Sequence, residues 1–368
     1  MYILDRAFGL WQSRGVERPR PRRCGLALAG GGVVGGMYEV GALAALEERL
    51  GGGCGFEVYV GCSAGSVVGS ILANGISAAE LYRVLDQDLD DPLNFGHAAV
   101  YASNAFRQAC GRFGRLVWAM GKSAVRGLRC SIPDMLAGAE RDLPAGFFSL
   151  AALERWVRET FAARGLANTF PELPRTLLIP AIDLDRAERV VFGRGELREV
   201  PLSHAVAASS AIPGFFEPYP IGGRDYVDGG VGFCGHADLA VEAGADTVVV
   251  INPLVPGLLD GTAASTRSRG LYTIMEQTGR IYSQNLLQLG LTSLAFKHPH
   301  VDFFLIQPPR TGTPLSGPCM GFEASRAALR FGYTSTRAWL ETDGAPLLER
   351  FVEPHPTSLG SPALSVSR

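Results

Sequence analysis

Two apolar runs, each closed by a glycine turn and followed by a helical pattern, set the terms on which this chain can fold. CGLALA (24–29) leads into GGGVVGG (30–36) and then MYEVGALAALEERL, and FEVYV (56–60) leads into GCSAG (61–65) and then SVVGSILANG. Short continuous apolar runs bounded by glycine read as buried strands, and the stretches after them carry apolar residues at helical spacing. Successive strand–turn–helix units commit a chain to parallel strands joined by crossover helices, with both faces of the sheet covered. Further strand-like runs occur at TLLIPAI (176–182), ERVVFG (188–193), DTVVVINP (246–253) and DFFLIQP (302–308), alternating with helical stretches such as HADLAVEAG. The pattern predicts an α/β fold: three α/β/α layers around a central, mainly parallel sheet. Helix ends are legible too, with Gly51 to Gly53 and Gly75 as stops and Ser77 with Glu80 as a capping box.

The 368 residues are 47% hydrophobic and 19% charged, enough to bury the core of one large domain. A net charge of −2 and a pI near 6.3 exclude the overall basic excess of a nucleic-acid binder. Seven scattered cysteines without CxxC spacing point to a reducing compartment rather than a disulfide framework. The first residues carry an acid and a base early and lack a signal-peptide core, and no run of about 18 apolar residues occurs. The expectation is a cytoplasmic chain, with peripheral contact at an inner membrane as a subsidiary one. Of the 34 basic residues only Lys122 and Lys297 are lysines, a skew that suggests a bacterial source with a G+C-rich genome.

Three motifs carry chemistry. In Gly61-Cys62-Ser63-Ala64-Gly65 a serine sits between a strand and a helix, where a sharp turn exposes a nucleophile and the helix N-terminus faces developing negative charge. Gly30, Gly31 and Gly32 open the first turn. Gly30, Gly32 and Gly35 also fit a dinucleotide-binding GxGxxG, but the strand that should end in an acidic residue ends in the serine turn instead. The competing use is an oxyanion hole, with bare backbone N–H groups beside Ser63. The third motif, Tyr226-Val227-Asp228-Gly229-Gly230, closes the segment ASSAIPGFFEPYPIGGRDYVDGG; taken alone, DGG is an ordinary turn signal.

The glycine loop with its nearby GxSxG, followed by AIDLDRAERVVFGRG and then AVAASSAIPGFFEPYPIGGRDYVDGGV, resembles the patatin-like phospholipases from about residue 24 to at least 253. The resemblance implies a Ser-Asp dyad in which Ser63 attacks an acyl ester and Asp228 takes and returns its proton, with Gly30, Gly31 and Gly32 as the oxyanion loop. It implies neither metal nor organic cofactor. The substrate class it implies is phospholipid, lysophospholipid or acylglycerol. The chain departs from the family at Val34, which stands where members commonly carry Arg or Lys, and by the added Gly36. That departure motivates the alternative of a lipid-binding or regulatory module with little turnover. Six histidines are available to an imidazole-based triad, and His236, eight residues after Asp228, is the nearest in sequence. It reads more readily as a capping or hydrogen-bonding residue, His204 as structural or rim-lining, and Cys62 as a small packing residue.

Between Asp91 and Asp134 there is no acid, while six cations run from Arg107 to Arg129, four of them, Arg115, Lys122, Arg126 and Arg129, opposite a face containing Phe106, Phe113 and Met120. This basic helical insertion, about 92–150, reads either as a lid or interfacial helix at an anionic membrane or as a solvated insertion packed on the core. The remaining boundaries are an N-terminal arm at 1–23, interfacial or disordered, an acyl hydrolase domain at 24–351 with a helical extension and last strand from about 256, and a disordered tail at 352–368.

Overall fold

The computed structural model describes residues 23–51, 55–96, 111, 114, 118, 121, 145–231, 235–258 and 265–351. In chain order the elements are β1 (Cys24–Leu28), α1 (Gly32–Leu50), β2 (Phe56–Gly61), α2 (Ala64–Ala73), α3 (Ala78–Asp86), β3 (Gly146–Phe148) and α4 (Ala151–Arg164). There follow β4 (Thr176–Asp183), β5 (Glu188–Phe192), α5 (Leu202–Ser209), β6 (Gly214–Phe216), β7 (Tyr219–Ile221), β8 (Arg224–Asp228), α6 (Ala237–Glu242) and β9 (Thr247–Ile251). The last are α7 (Leu271–Lys297), β10 (Asp302–Ile306), α8 (Ser325–Leu340) and α9 (Ala345–Phe351).

Eight strands form one sheet in the order β10-β9-β1-β2-β4-β8-β7, with β5 also on β4. From β10 to β4 every pairing is parallel, and the β4–β5, β4–β8 and β7–β8 pairs are antiparallel. Side-chain alternation divides the core in two. Leu26, Leu28, Tyr59 and Ile251 point to the face covered by α1 to α5, α8 and α9, while Ala27, Val58, Val60 and Val250 point to the face covered by α6 and α7. The expected three-layer α/β/α architecture with a mainly parallel sheet is the one observed.

On the first face α1 is almost wholly buried and packs against α8 at backbone distance. A Cβ on Gly41 would lie 2.0 Å from the Leu329 carbonyl oxygen, and one on Gly332 would lie 2.3 Å from that of Tyr38, so both positions require glycine. The helix stops fall as read, with Gly51 and Gly75 at positive φ, and Ser77 Oγ accepts the Glu80 N–H at 3.0 Å. Of the basic insertion, 97–144 lies outside the described residues except Gly111, Gly114, Trp118 and Gly121, which are helical. Its described end departs from the all-helical expectation, because β3 pairs in parallel with β6 across Gly146↔Gly214 and Phe148↔Phe216. The short run GFF at each site satisfies the other's backbone groups, a non-local pairing that helical periodicity does not signal. The arm at 1–22 and the tail at 352–368 lie outside the described residues.

Candidate active site

The order β9-β1-β2 places the carboxyl ends of β1 and β2 side by side, with Leu28 in register with Gly61. The Cys62 N–H donates to the Leu28 carbonyl at 3.0 Å, so the glycine loop after β1 and the serine turn after β2 are tied together at their roots. Ligand sites in open α/β sheets form in this position, beyond the strand carboxyl ends.

Ser63 has φ 54° and ψ −127°, a conformation that costs a non-glycine residue about 1–3 kcal/mol unless its surroundings hold it. They do so here. Its N–H donates to Ser209 Oγ at 3.0 Å, and the Ser209 hydroxyl donates in turn to the Pro180 carbonyl at 2.7 Å, fastening the turn to α5 and β4. Ser66 Oγ donates to the Ser63 carbonyl at 2.6 Å. Just after β1, the chain is equally constrained: Gly30, Gly31 and Gly32 all have positive φ, and a Cβ on Gly30 would lie 2.4 Å from the Cys62 carbonyl oxygen.

Asp228 ends β8, in register with Ala181, and its N–H donates to the Ala211 carbonyl at 3.0 Å. Its side chain is buried beside Ser63, whose side chain favours its ionised form. It also accepts the Gly230 N–H at 2.8 Å, and the Cys62 thiol lies 3.7 Å away. Burial pushes the Asp228 carboxyl up from 3.8 to about 6, against the opposing pull of the Ser63, Gly230 and Cys62 hydrogen bonds. Cys62 is thus more than a packing residue, since it adds a weak donor to the carboxylate.

The three glycines are not equivalent. The Gly30 N–H already donates to Glu39 Oε1 at 2.7 Å, whereas the Gly31 and Gly32 amides have no protein acceptor among the described residues. Gly32 begins α1, so these two amides coincide with the positive end of that helix. Glu39 itself is fully buried on α1, its Oε2 has no partner among the described residues, and burial pushes its carboxyl well above the usual 4.5. The sequence reading missed it. An acid set between apolar neighbours in MYEVGAL was the available signal. Val34 is also buried, with its N–H donating to the Cys319 carbonyl at 3.0 Å, so the position of the usual cation is part of the core.

Ser63 opens onto a pocket walled by Met37, Val68, Ile71, Leu85, Phe95 and Trp156 among others, with almost no polar lining. Such a cavity suits an acyl chain. Ser210 also lines it, and its buried hydroxyl has no partner among the described residues.

His236 is buried with φ 41° at the start of α6 and does not cap that helix with its side chain. Nε2 lies 3.2 Å from the Gly229 carbonyl oxygen and Nδ1 3.3 Å from an Arg189 guanidinium nitrogen, which assigns the proton to Nε2. Burial first, and Arg189 second, push its pKa down to about 4. The ring therefore buttresses the turn after Asp228. His204 Nδ1 lies 2.8 Å from the Tyr219 hydroxyl. Among the described residues no group of three or more His, Cys, Asp or Glu side chains could hold a metal ion, and no helix is long and apolar enough to cross a membrane.

A family model described as patatin-like phospholipase matches residues 26–233, the stretch that contains the glycine loop, the serine turn and Asp228. The chain belongs to this family. The family's description places its members among the phospholipases. Among solved structures it is similar to VipD from Legionella pneumophila, at 18% identity and a TM-score of 0.38, covering 88% of this chain and 67% of that one. It is also similar to the type III effector protein ExoU, at 16% identity and a TM-score of 0.37, covering 91% of this chain and 54% of that one. A further match is full-length ExoU with SpcU from the type III secretion system of Pseudomonas aeruginosa, at 17% identity, a TM-score of 0.34 and 90% and 53% coverage. The chain therefore spans little more than half the length of ExoU.

Proposed function

We propose that this patatin-like chain is a phospholipase A or lysophospholipase type enzyme that cleaves acyl esters through a Ser63–Asp228 dyad. The observation that carries the reading is a serine on a strained turn beside a buried carboxyl whose ionisation it favours, at the mouth of an apolar pocket. Ionised Asp228 accepts the Ser63 proton as Oγ attacks the ester carbonyl, and the tetrahedral oxyanion is held by the Gly31 and Gly32 amides and the α1 N-terminus. Collapse releases the alcohol, which takes the proton from Asp228, and leaves an acyl group on Ser63. Water, deprotonated by Asp228, then attacks the acyl-enzyme, and the second collapse frees the fatty acid while Asp228 returns the proton to Ser63 Oγ. Gly30, with its amide committed to Glu39, shapes the loop rather than donating to the oxyanion. Residues 24–351 would constitute the acyl hydrolase domain. A phospholipid, lysophospholipid or acylglycerol would place its acyl chain among Met37, Ile71 and Phe95.

A second reading, lipid binding with little turnover, is favoured by one observation. With Val34 buried and the Gly30 amide occupied, the oxyanion would rely on two amides and a helix dipole without a side-chain cation. Hydrolysis of a short p-nitrophenyl ester and of mixed phospholipid vesicles by wild type, Ser63→Ala, Asp228→Asn and His236→Ala separates the two. Loss in the first two variants, with His236→Ala active, supports the dyad. Wild type no faster than Ser63→Ala on either substrate, together with no labelling of Ser63 by a fluorophosphonate, favours the binding module.

A further inference from the structure

Helix α7 carries an apolar stripe on its solvent side as well as buried leucines, Leu287 and Leu291, on the side that packs against the sheet. Of the twelve exposed large apolar side chains among the described residues, eight lie on this one helix. At about 100° per residue, Leu271, Met275, Tyr282, Leu286, Leu289 and Phe296 fall within a sector of about 80°. That stripe runs the length of a helix of 27 residues, about 40 Å at 1.5 Å per residue. Phe296 is 87% exposed and Tyr282 68%. On the opposite side Arg280 is buried, donating to the Leu315 carbonyl at 2.7 Å and to Glu276 at 3.0 Å, and buried Gln284 accepts from Asn252 at 2.9 Å. Leu287 and Leu291 are buried on that inner side too, so α7 is apolar on both faces, and its outer stripe is surface that water does not favour.

The charges around the stripe identify what covers it. From 265 to 300 the only acid is Glu276, turned inward onto Arg280, while Arg267 and Arg269 stand exposed at one end and Lys297 at the other. Two copies of α7 laid together, parallel or antiparallel, would set cation against cation with no acid to pair them. An anionic lipid surface meets both demands, apolar insertion along the stripe and cations at headgroup level at its ends.

The stripe is also tied to the candidate active site. Glu276 Oε1 accepts the Cys319 N–H at 2.8 Å, and the Cys319 carbonyl accepts the Val34 N–H at 3.0 Å, two hydrogen bonds from α7 to the loop that carries Gly31 and Gly32. Met320, the next residue, lines the apolar cavity.

We infer that the outer face of α7 is an interfacial docking surface that lays the protein on an anionic bilayer, with the helix in the plane of the headgroups. The face stands on its own geometry, and its use to deliver lipid to Ser63 rests on the proposed hydrolase reading.

The test is flotation of the full chain carrying Ser63→Ala, which leaves vesicles intact, with phosphatidylcholine vesicles containing about a third phosphatidylglycerol. Binding is expected, and it should weaken in pure phosphatidylcholine and at high salt. Combined Met275→Glu, Tyr282→Glu and Leu289→Glu should cut the bound fraction at least about tenfold, since each removes an inserted apolar side chain. The same triple variant with Ser63 intact should keep wild-type melting and wild-type hydrolysis of a soluble short ester. The inference is overturned if the triple variant floats like its parent, or if monomeric parent protein does not float at all. It is also overturned if light scattering shows a dimer that the triple substitution dissociates without any vesicle binding, which would make the occupant a second copy. Vesicle binding without ester hydrolysis by wild type would sink the hydrolase reading and leave the docking surface standing.

Discussion

Asp228→Asn should abolish ester hydrolysis and at the same time stabilise the protein at neutral pH. The carboxyl is buried and titrates at about 6 rather than 3.8, because ionisation inside the protein forfeits hydration that the hydrogen bonds from Ser63, Gly230 and Cys62 only partly replace. In the unfolded chain the same group ionises near 3.8. Below that pH both states are protonated and the group contributes nothing to the pH dependence. Between 3.8 and about 6 the unfolded state loses its proton first, so the stability that comes from holding the proton in the folded state is progressively lost, and above about 6 the loss is constant. The interval corresponds to about 3 kcal/mol at 1.36 kcal/mol per pH unit. Asparagine has the same shape, can accept the Gly230 N–H, and never ionises. Its constant differences in hydrogen bonding shift the whole comparison without changing its slope, and every other titrating group, Glu39 and His236 included, is common to both proteins. Urea unfolding of wild type and Asp228→Asn at intervals from about pH 3 to pH 8 should show the variant gaining about 3 kcal/mol relative to wild type across that range. A difference that stays flat with pH would refute the reasoning, because it would mean that the carboxylate is solvated in the folded protein and not poised as a base.

Other outcomes follow from the same geometry. The kcat/KM of wild type on a soluble ester should rise about tenfold per pH unit up to a midpoint near 6 and level off above it, and His236→Ala should leave that midpoint in place because the ring contacts Gly229 and Arg189. Glu39→Leu strands the buried Gly30 amide and should lower kcat on the order of 10- to 100-fold with little change in KM, whereas Glu39→Gln, which can still accept that N–H, should stay within a few-fold of wild type. Ser209→Ala removes the acceptor of the Ser63 N–H and should cost about 1–3 kcal/mol in urea unfolding together with much of the activity. Gly332→Val drives a side chain into the Tyr38 carbonyl and should lower the melting temperature sharply, with no compensating substitution available on α1.

The sheet, its two covered faces and the neighbourhood of Ser63 with the glycine loop were legible because each depends on short-range pattern. An apolar run, a glycine turn and a helical repeat fix the local structure, and two such units in succession fix their adjacency. Asp228 was legible only through the resemblance, since DGG alone is a turn and its meeting with Ser63 depends on β8 pairing with β4, a contact between segments far apart in sequence. Glu39 and Ser209 were illegible for a related reason. Their work is to satisfy backbone amides at Gly30 and Ser63, and an amide's need for an acceptor is invisible until the turn that orphans it is built. The parallel pairing of β3 with β6 was hidden behind a basic segment whose periodicity speaks only for helix.

Helix α7 shows the converse limit. Its periodic pattern does announce a helix, but periodicity records only that apolar residues share a face, and the ordinary inference is that this face is the buried one. Here the inward side combines buried Leu287 and Leu291 with polar anchors: Arg280 binds the Leu315 and Gly317 carbonyls, Gln284 meets Asn252 and Gln307, and Gln277 donates to the Gly257 carbonyl. Those acceptors and donors belong to loops whose own partners are not encoded nearby, so the orientation of the helix is a tertiary decision. Once it is made, Met275, Tyr282, Leu289 and Phe296 are left facing out. An exposed stripe of that length is apolar surface that an anionic bilayer would cover, and on the proposed hydrolase reading that is the surface that holds the substrate.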